Sequence, residues 1–458
     1  MRCRPVGCLK AHMKLNELDI KNFRGFEERG FRLHPQFNLV IGENASGKTT
    51  LLEAAAIAVS SWLLGFQGTA SRNIRTRDVR YVVDAVEGRI RHLPQYPVVI
   101  SASGEIGGID EPVTEHVRWR RELTGPNKKT TQGDVSHLKA VARGYQADLV
   151  AGERPVLPVI RYFGAGRLWQ AARPISNSRS EKTAYRDDLE SWLEKVRSPI
   201  FGYLSSMDKG NSSADLLRWM VEERRFEIDE EHDSLHLRVV YSAIRSMMPE
   251  LDSVSVNVRM RELLLRYVDG RTVAFSELSD GYRNVVAMVA DLAIKMVMLN
   301  PHLAKDALSK TPGVVLIDEL DLHLHPKWQR RVVEDLRRTF PRVQFICTTH
   351  SPFIVQSLRS GEELIVLDGQ PTMGVANLTI REVAQGLMGV EESETSKRYG
   401  EMNDTARALL EEIEARKPLA GEALAQFEKK PGRGHWAYAD NPAYQPFLEM
   451  KLAFGSDE

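Results

Sequence analysis

Eight consecutive residues have the types and the spacing of a phosphate-binding loop. They are Gly42, Glu43, Asn44, Ala45, Ser46, Gly47, Lys48 and Thr49, a full match to the pattern G-x-x-x-x-G-K-[ST]. In such a loop the backbone N–H groups face the phosphates, the lysine reaches the β and γ oxygens, and the threonine hydroxyl can ligate Mg²⁺. We therefore predict a site for ATP or GTP at these residues and at Thr50, with Thr49 as a ligand of Mg²⁺.

Two acids end an apolar run further along the chain. Residues 314–317 read Val-Val-Leu-Ile and are followed by Asp318 and Glu319, the form that a Walker B strand takes in phosphate-loop ATPases. Asp318 would then hold the Mg²⁺, and Glu319 would orient the attacking water opposite the γ-phosphate. In the alternative the two acids cap a helix, which explains the apolar strand before them less well.

Two more segments carry groups that can contact phosphate. The first consists of Ser279, Asp280 and Gly281. It precedes an Ala-, Val- and Met-rich helical run at residues 284–299, and a hydroxyl and a backbone N–H at a helix N-terminus can form an anion site, although an ordinary N-cap is the alternative. The second is His350, which follows an apolar strand at residues 343–347. A single histidine in that position would usually be a core or surface residue.

Two sets of residues could be mistaken for zinc ligands. His323 and His325 form a close pair, but their place just after the two acids favours a turn that contacts a partner active site. Cys3, Cys8 and His12 match no usual zinc spacing and lack a fourth ligand. We expect no zinc at either place.

The elements that must position these groups can be identified from hydrophobic patterns. Residues 37–41 form an apolar run before the phosphate loop, and strong helix formers follow it. Residues 15–20 alternate like an edge or half-buried strand. Residues 69–157 are polar and irregular, with strand-like pieces at 98–102 and 117–120, and we interpret them as the outer sheet of a nucleotide-binding lobe.

The length of 458 residues exceeds what one core usually supports, so a core with insertions is expected. The predicted division is an N-terminal extension at 1–14, in which Met13 is a candidate start; the first part of the core at 15–176; a helical insertion at 177–248; the second part of the core at 249–370; and a helical and tail region at 371–458 that could dock a partner. No heptad pattern persists for three or four repeats, which argues against a long coiled coil.

Amino-acid composition indicates the cellular compartment of the protein but does not identify its partners. The 62 basic and 62 acidic residues balance, so overall charge does not indicate nucleic-acid binding. Three cysteines fit a reducing compartment. The longest apolar run, residues 51–66, contains Glu53 and is shorter than the ~20 residues of a bilayer span. Residues 1–13 lack the apolar core of a secretory signal. A cytoplasmic protein without a membrane segment is expected.

Taken together, the phosphate loop, the 278–281 segment, the Walker B acids and His350 occur in the order found in ABC-type ATPases, which this chain resembles. The segment 22–25, Asn-Phe-Arg-Gly, and the wide gap between the phosphate loop and 278–281 resemble the RecF, SMC and OLD group. The resemblance implies an α/β P-loop NTPase fold of the ABC-ATPase head type, with a mixed β-sheet lobe, a short helical insertion and no long coiled coil. It also implies that residues 279–281 are a signature motif, that His350 is a switch histidine touching the γ-phosphate, and that Arg24 lies near the nucleotide or a DNA-facing edge.

Two differences from SMC and OLD proteins indicate which members of that group this chain resembles more. SMC proteins insert long coiled coils, and OLD nucleases carry a Toprim domain after the ATPase, whereas no D-x-D pair follows His350 here. Residues 162–169 and 318–326 look like the stand-alone anti-phage ATPases of Septu systems, in which a PtuA-type ATPase works with a separate HNH nuclease. This implies an ATP-sandwiched head-to-tail homodimer, with a higher oligomer left open, a nuclease partner, and DNA or RNA as a target.

Other interpretations remain open from the sequence alone. A RecF-like DNA repair or chromosome-associated clamp is the main alternative, and a nucleotide-gated scaffold with negligible turnover is a third. A small-molecule kinase gives residues 278–281 and His350 no role. Aromatic residues of the C-terminal tail could anchor a partner or pack on the chain's own core, namely Trp436, Tyr438, Tyr444 and Phe447. The sequence assigns no role to Arg167.

Overall fold

The computed structural model describes residues 12–86, 89–107, 116–166, 198–208, 213–367 and 378–388. The chain divides into two compact units, residues 1–383 and 384–458, and the elements given below lie in the first. Arg167, the aromatic tail residues, and the part of the predicted helical insertion from 177 to 197 lie outside the described residues.

The strands are β1 (His12–Phe23), β2 (Phe26–Arg32), β3 (Phe37–Ile41), β4 (Tyr81–Val86), β5 (Arg89–Pro94), β6 (Val98–Gly107), β7 (His116–Leu123), β8 (Val159–Phe163), β9 (Leu251–Asn257), β10 (Glu262–Tyr267), β11 (Thr272–Ala274), β12 (Gly313–Ile317), β13 (Val343–Thr348) and β14 (Leu364–Val366). The helices are α1 (Lys48–Val59), α2 (Ser136–Val150), α3 (Ser213–Asp229), α4 (Leu235–Met247), α5 (Asp280–Leu299), α6 (Ala307–Lys310), α7 (Pro326–Gln329), α8 (Val332–Thr339), α9 (Pro352–Val355) and α10 (Ile380–Glu382).

A five-stranded parallel sheet forms the centre of the first unit. Its strand order is β14-β3-β13-β12-β8. Every residue of β3, β8, β12 and β13 is buried, and these strands are mostly apolar, as expected of parallel strands that are covered on both faces. The carboxyl ends of parallel strands meet at one edge of a sheet, so the segments after β3, β12 and β13 are brought together.

A four-stranded antiparallel sheet with the order β2-β1-β6-β7 forms the outer lobe. Strand β1 pairs with both β2 and β6, so of the two predicted alternatives the half-buried strand is observed and the edge strand is not. The predicted irregularity of residues 69–157 was also wrong in part, since they contain the hairpin β4–β5 and helix α2. Helix α2 buries only Leu138, Ala142 and Tyr145, and so narrow an apolar stripe gives a weak helical pattern.

Helix α5 is fastened to the central sheet by buried charges. Arg161 of β8, whose side chain is 1% exposed, donates from Nε to the Asp291 carboxylate of α5 at 2.7 Å. One turn further along α5, Lys295 donates to the carbonyl of Leu204 at 2.7 Å, and burial lowers the pKa of its ammonium to about 8. A buried charge is tolerated where it is paired and hydrogen-bonded, so Arg161 holds α5 against β8 and Lys295 holds it against the segment that contains Leu204.

The architecture is a mixed α/β P-loop NTPase fold, as the sequence predicted. The longest described helix, α5, has 20 residues. None of the helices in the described ranges combines the length and apolar character that a bilayer crossing requires.

Candidate nucleotide-binding site

The phosphate loop connects β3 to α1 and depends on left-handed backbone. Ala45 has φ 69° and Gly47 has φ 105°, a conformation that favours glycine. A Cβ at Gly47 would lie 2.7 Å from Cζ of the Phe26 ring, so a side chain is excluded there on steric grounds as well. Residues 43–45 are exposed. The loop is therefore open to a ligand on one side and supported by β2 on the other.

The Lys48 side chain lies against its own loop. Its ammonium donates to the carbonyl oxygens of Gly42 and Glu43, both at 2.7 Å, and the residue is 8% exposed. An ammonium carries three donors in flexible geometry, so it can exchange these carbonyls for phosphate oxygens with little movement.

The two predicted magnesium ligands lie side by side. The Thr49 hydroxyl donates to Asp318, with Oγ1 3.1 Å from Oδ2 and 3.3 Å from Oδ1. Mg²⁺ in nucleotide sites is bound by one or two protein oxygens and completed by phosphates and waters, and a hydroxyl beside a carboxylate fits that donor set. No cluster of three or more His, Cys, Asp or Glu side chains suited to a metal occurs among the residues that the structure describes.

Glu319 follows Asp318 at the same edge in a left-handed conformation, with φ 52°. Such backbone is uncommon for a residue with a side chain and persists only where its surroundings hold it. Here the Glu319 N–H donates to Oγ1 of Thr348 at 2.7 Å, and the N–H of Leu320 donates to the Thr348 carbonyl at 2.8 Å. The half-buried Glu319 is thereby held at the carboxyl end of β12.

The end of β13 is bound to the segment after β12. The Thr348 hydroxyl also donates to Oδ1 of Asp318 at 2.8 Å, and the Thr349 hydroxyl donates to Oδ1 of Asp321 at 2.6 Å. The backbone N–H of His350 donates to the same Asp321 oxygen at 3.2 Å. No sequence motif indicated a role for Thr348, Thr349 or Asp321 individually. The available signal was a pair of hydroxyl residues ending a buried apolar strand.

The signature segment begins α5. Ser279 is the N-cap residue and is exposed, but its side chain makes no capping hydrogen bond, so the ordinary N-cap alternative does not describe it. Gly281 packs on the turn that follows the Walker B acids, where a Cβ would collide with the carbonyl oxygen of His323. The segment therefore rests on that turn while Ser279 and Asp280 face outward.

Arg24 supports the buried side of α1. Its guanidinium donates to Oδ1 of Asp78, from Nε at 2.9 Å and from Nη2 at 2.6 Å, and Nη2 lies 4.0 Å from Oε1 of Glu53 on α1. Arg72 pairs with the other oxygen of the 3% exposed Glu53 at 2.8 Å. A quarter of the Arg24 side chain stays exposed. Its predicted place near the nucleotide or DNA stays a prediction.

The structure thus brings the phosphate loop and the Walker B acids together, whereas two of the three predicted signature residues and the predicted switch histidine are exposed to solvent. The phosphate loop, Asp318 and Glu319 meet at the carboxyl edge of the sheet. Ser279, Asp280 and His350 are exposed.

The chain is similar to AAA-domain families and to several known ATPases. A family model described as "AAA domain" matches residues 17–228, and a second AAA-domain model, whose description includes "Type IV TA system", matches residues 173–356. The "Retron Vc95 probable ATPase" of Vibrio cholerae is 23% identical, over 93% of this chain and 88% of that protein. The Septu protein PtuA of Bacillus mycoides is 40% identical over 84% of this chain, which spans 45% of the PtuA length. A solved SMC head bound to the C-terminal winged-helix domain of ScpA is 13% identical, covers 77% of this chain and 94% of that one, and has a TM-score of 0.42.

Proposed function

Because this chain is an AAA/ABC-like ATPase homologous to retron ATPases and to Septu protein PtuA, we propose that it binds and hydrolyses ATP between two head-to-tail subunits and so regulates a nucleic-acid-directed effector in anti-phage defence. The observation that carries the proposal is the 3.1 Å contact between Thr49 and Asp318 beside the phosphate loop. This contact joins the phosphate loop to the Walker B acids, the two motifs that bind a nucleotide and its Mg²⁺ in P-loop NTPases.

Each residue has a chemical role in this proposal. Lys48 and the loop N–H groups bind the phosphates, and Thr49 and Asp318 would hold Mg²⁺, which neutralises charge on the phosphate oxygens when bound. Glu319 orients the attacking water and polarises it. His350 would contact the γ-phosphate from the neighbouring strand end.

In the proposed dimer, the exposed signature segment of one subunit completes the ATP site of the other. Ser279 and Gly281 would meet the γ-phosphate held by the loop of the partner, as an anion site at the N-terminus of α5. ATP then binds the closed dimer more tightly than the separate subunits, and this difference in affinity drives closure. Hydrolysis removes the γ-phosphate contact and favours opening.

Ser279→Arg is expected to keep ATP binding and to lose ATP hydrolysis. Ser279 is exposed, so the single subunit accommodates the arginine, whereas the proposed interface does not. The variant should bind ATP within about 3-fold of the Kd of the wild-type monomer, measured at protein concentrations too low for dimers to form, since a change that leaves all phosphate-loop contacts intact costs less than ~0.7 kcal/mol. Equilibrium binding of a fluorescent ATP analogue and light scattering should show a monomer that binds ATP and fails to hydrolyse it. An ATP-bound dimer of this variant would contradict the proposed interface.

The effector is the part of the proposal that rests on the relatives. The relatives are named as proteins of retron and Septu systems. By the resemblance to Septu ATPases, the proposed partner is a nuclease such as an HNH protein, acting on DNA or RNA, with a homodimer or a higher oligomer of this chain. Tagged Glu319→Gln protein should be purified from its host with ATP present, and bound proteins and nucleic acid should be identified. A stoichiometric nuclease supports the proposal. Duplex DNA without a protein partner would instead support a RecF-like clamp.

A further inference from the structure

We propose that Thr348 is a positioning residue that orients both acids of the site, Asp318 and Glu319, through a single hydroxyl group. The inference rests on the proposed ATPase function and adds a residue that does not itself touch nucleotide. It follows from the place of Thr348 in the sheet and from the direction of its hydrogen bonds.

Thr348 ends a strand at a position from which its side chain reaches both Walker B acids. It is the last residue of β13, which lies between the phosphate-loop strand β3 and the Walker B strand β12. The residue is 1% exposed. Its hydroxyl is therefore held inside the carboxyl edge of the sheet, between the phosphate loop and the two acids.

The hydrogen-bond directions at this hydroxyl follow from its partners. The backbone N–H of Glu319 can only donate, so at 2.7 Å it must use a lone pair of Thr348 Oγ1. The single hydroxyl proton is then available for Oδ1 of Asp318 at 2.8 Å, an acceptor when the carboxylate is ionised. The hydroxyl thus accepts a hydrogen bond from the backbone of one acid, Glu319, and donates one to the carboxylate of the other, Asp318.

Each bond has a separate consequence. The bond to Asp318 fixes the rotation of the carboxylate and leaves Oδ2 as the oxygen nearer to the Thr49 hydroxyl, at 3.1 Å. The bond from the Glu319 N–H supports backbone at φ 52°, which determines where the Glu319 side chain begins. Loss of the hydroxyl would remove the acceptor of the Glu319 N–H and one of the donors to the Asp318 carboxylate in a buried place.

The neighbouring threonine does not duplicate this arrangement. Thr349 directs its hydroxyl to Asp321 at 2.6 Å and accepts from the N–H of Ser351 at 3.0 Å. The two threonines thus hold different acids of the segment 318–321, and only Thr348 is bonded to the pair that the ATPase proposal uses.

The test compares Thr348→Val, Thr348→Ser and Thr311→Val with the wild type. Valine keeps the shape and removes the hydroxyl, and serine keeps the hydroxyl. Thr311 is a matched control, since it is fully buried, accepts one hydrogen bond from Asn300 at 3.0 Å, and precedes the opposite end of β12. Steady-state ATP hydrolysis, equilibrium binding of Mn²⁺ with ADP measured by electron paramagnetic resonance, and urea unfolding should be recorded for each protein.

Thr348→Val should lower kcat and Mn²⁺ affinity by ~10–100-fold, the usual effect of removing a partner of a metal ligand, with the KM for ATP nearly unchanged. Thr348→Ser should recover most of both, and Thr311→Val should alter unfolding only. Wild-type kcat and Mn²⁺ affinity in Thr348→Val would overturn the inference, and so would equal losses in the serine variant. If the wild type hydrolyses no ATP, the proposed function fails, while Mn²⁺ binding still decides the role of Thr348.

Discussion

Lys48→Ala is expected to abolish ATP binding at micromolar nucleotide. The ammonium is the only side-chain cation of the phosphate loop, and charge-assisted hydrogen bonds contribute roughly 1.5–3 kcal/mol each. Losing two of them corresponds to a Kd weaker by ~100-fold or more. Titration calorimetry with ATP measures this directly.

A matched control separates this effect from general loss of charge. Lys128 is exposed, so Lys128→Ala should bind ATP like the wild type. Lys48→Ala also removes the donor of the Gly42 and Glu43 carbonyls, so urea unfolding should verify that the variant is folded. ATP affinity of a folded Lys48→Ala protein equal to that of the wild type would refute the assignment of the loop.

Glu319→Gln is expected to keep ATP binding and to lose hydrolysis. Glutamine has nearly the same shape but cannot accept a proton from water, and a positioned general base contributes ~10²–10⁴-fold to rate. The turn is kept, because Thr348 holds Glu319 through its backbone N–H. The kcat should fall by ~10²-fold or more, and the protein should accumulate as an ATP-bound dimer.

Turnover assays and light scattering with ATP test this prediction. Glu362→Gln is the control, since Glu362 is exposed and is no part of the site, and it should hydrolyse ATP at the wild-type rate. Hydrolysis by Glu319→Gln at the wild-type rate would show that another group activates the water.

The parts of the site encoded by contiguous residues were predictable. The phosphate loop needs glycines and a lysine at fixed spacing between a strand and a helix, and Asp318 and Glu319 end an apolar strand. A strand buried on both faces is mostly apolar, and the turn residues and motifs beside these runs distinguish them from helices. The fold class could therefore be predicted from local patterns in their order along the chain.

The contacts that join these segments were not predictable in the same way. Thr348 meets Asp318 across 30 positions of sequence, and Arg161 meets Asp291 across 130. Nothing in the sequence near either residue indicates its partner, because the partner is set by which strands become neighbours in the sheet. The position of β1 inside its sheet depends likewise on β6, about 80 residues away.

If each ATP site is built from two subunits, as proposed, two variants that are inactive alone should restore a working site when they are mixed. Lys48→Ala lacks a working phosphate loop, and Ser279→Arg lacks a working signature. In a head-to-tail dimer of one copy of each, the intact loop of the second faces the intact signature of the first. An equal mixture should therefore hydrolyse ATP although neither variant does so alone, at no more than about half of the wild-type rate, because each mixed dimer has one intact site of two. A mixture that is no more active than the two variants alone would contradict a shared site.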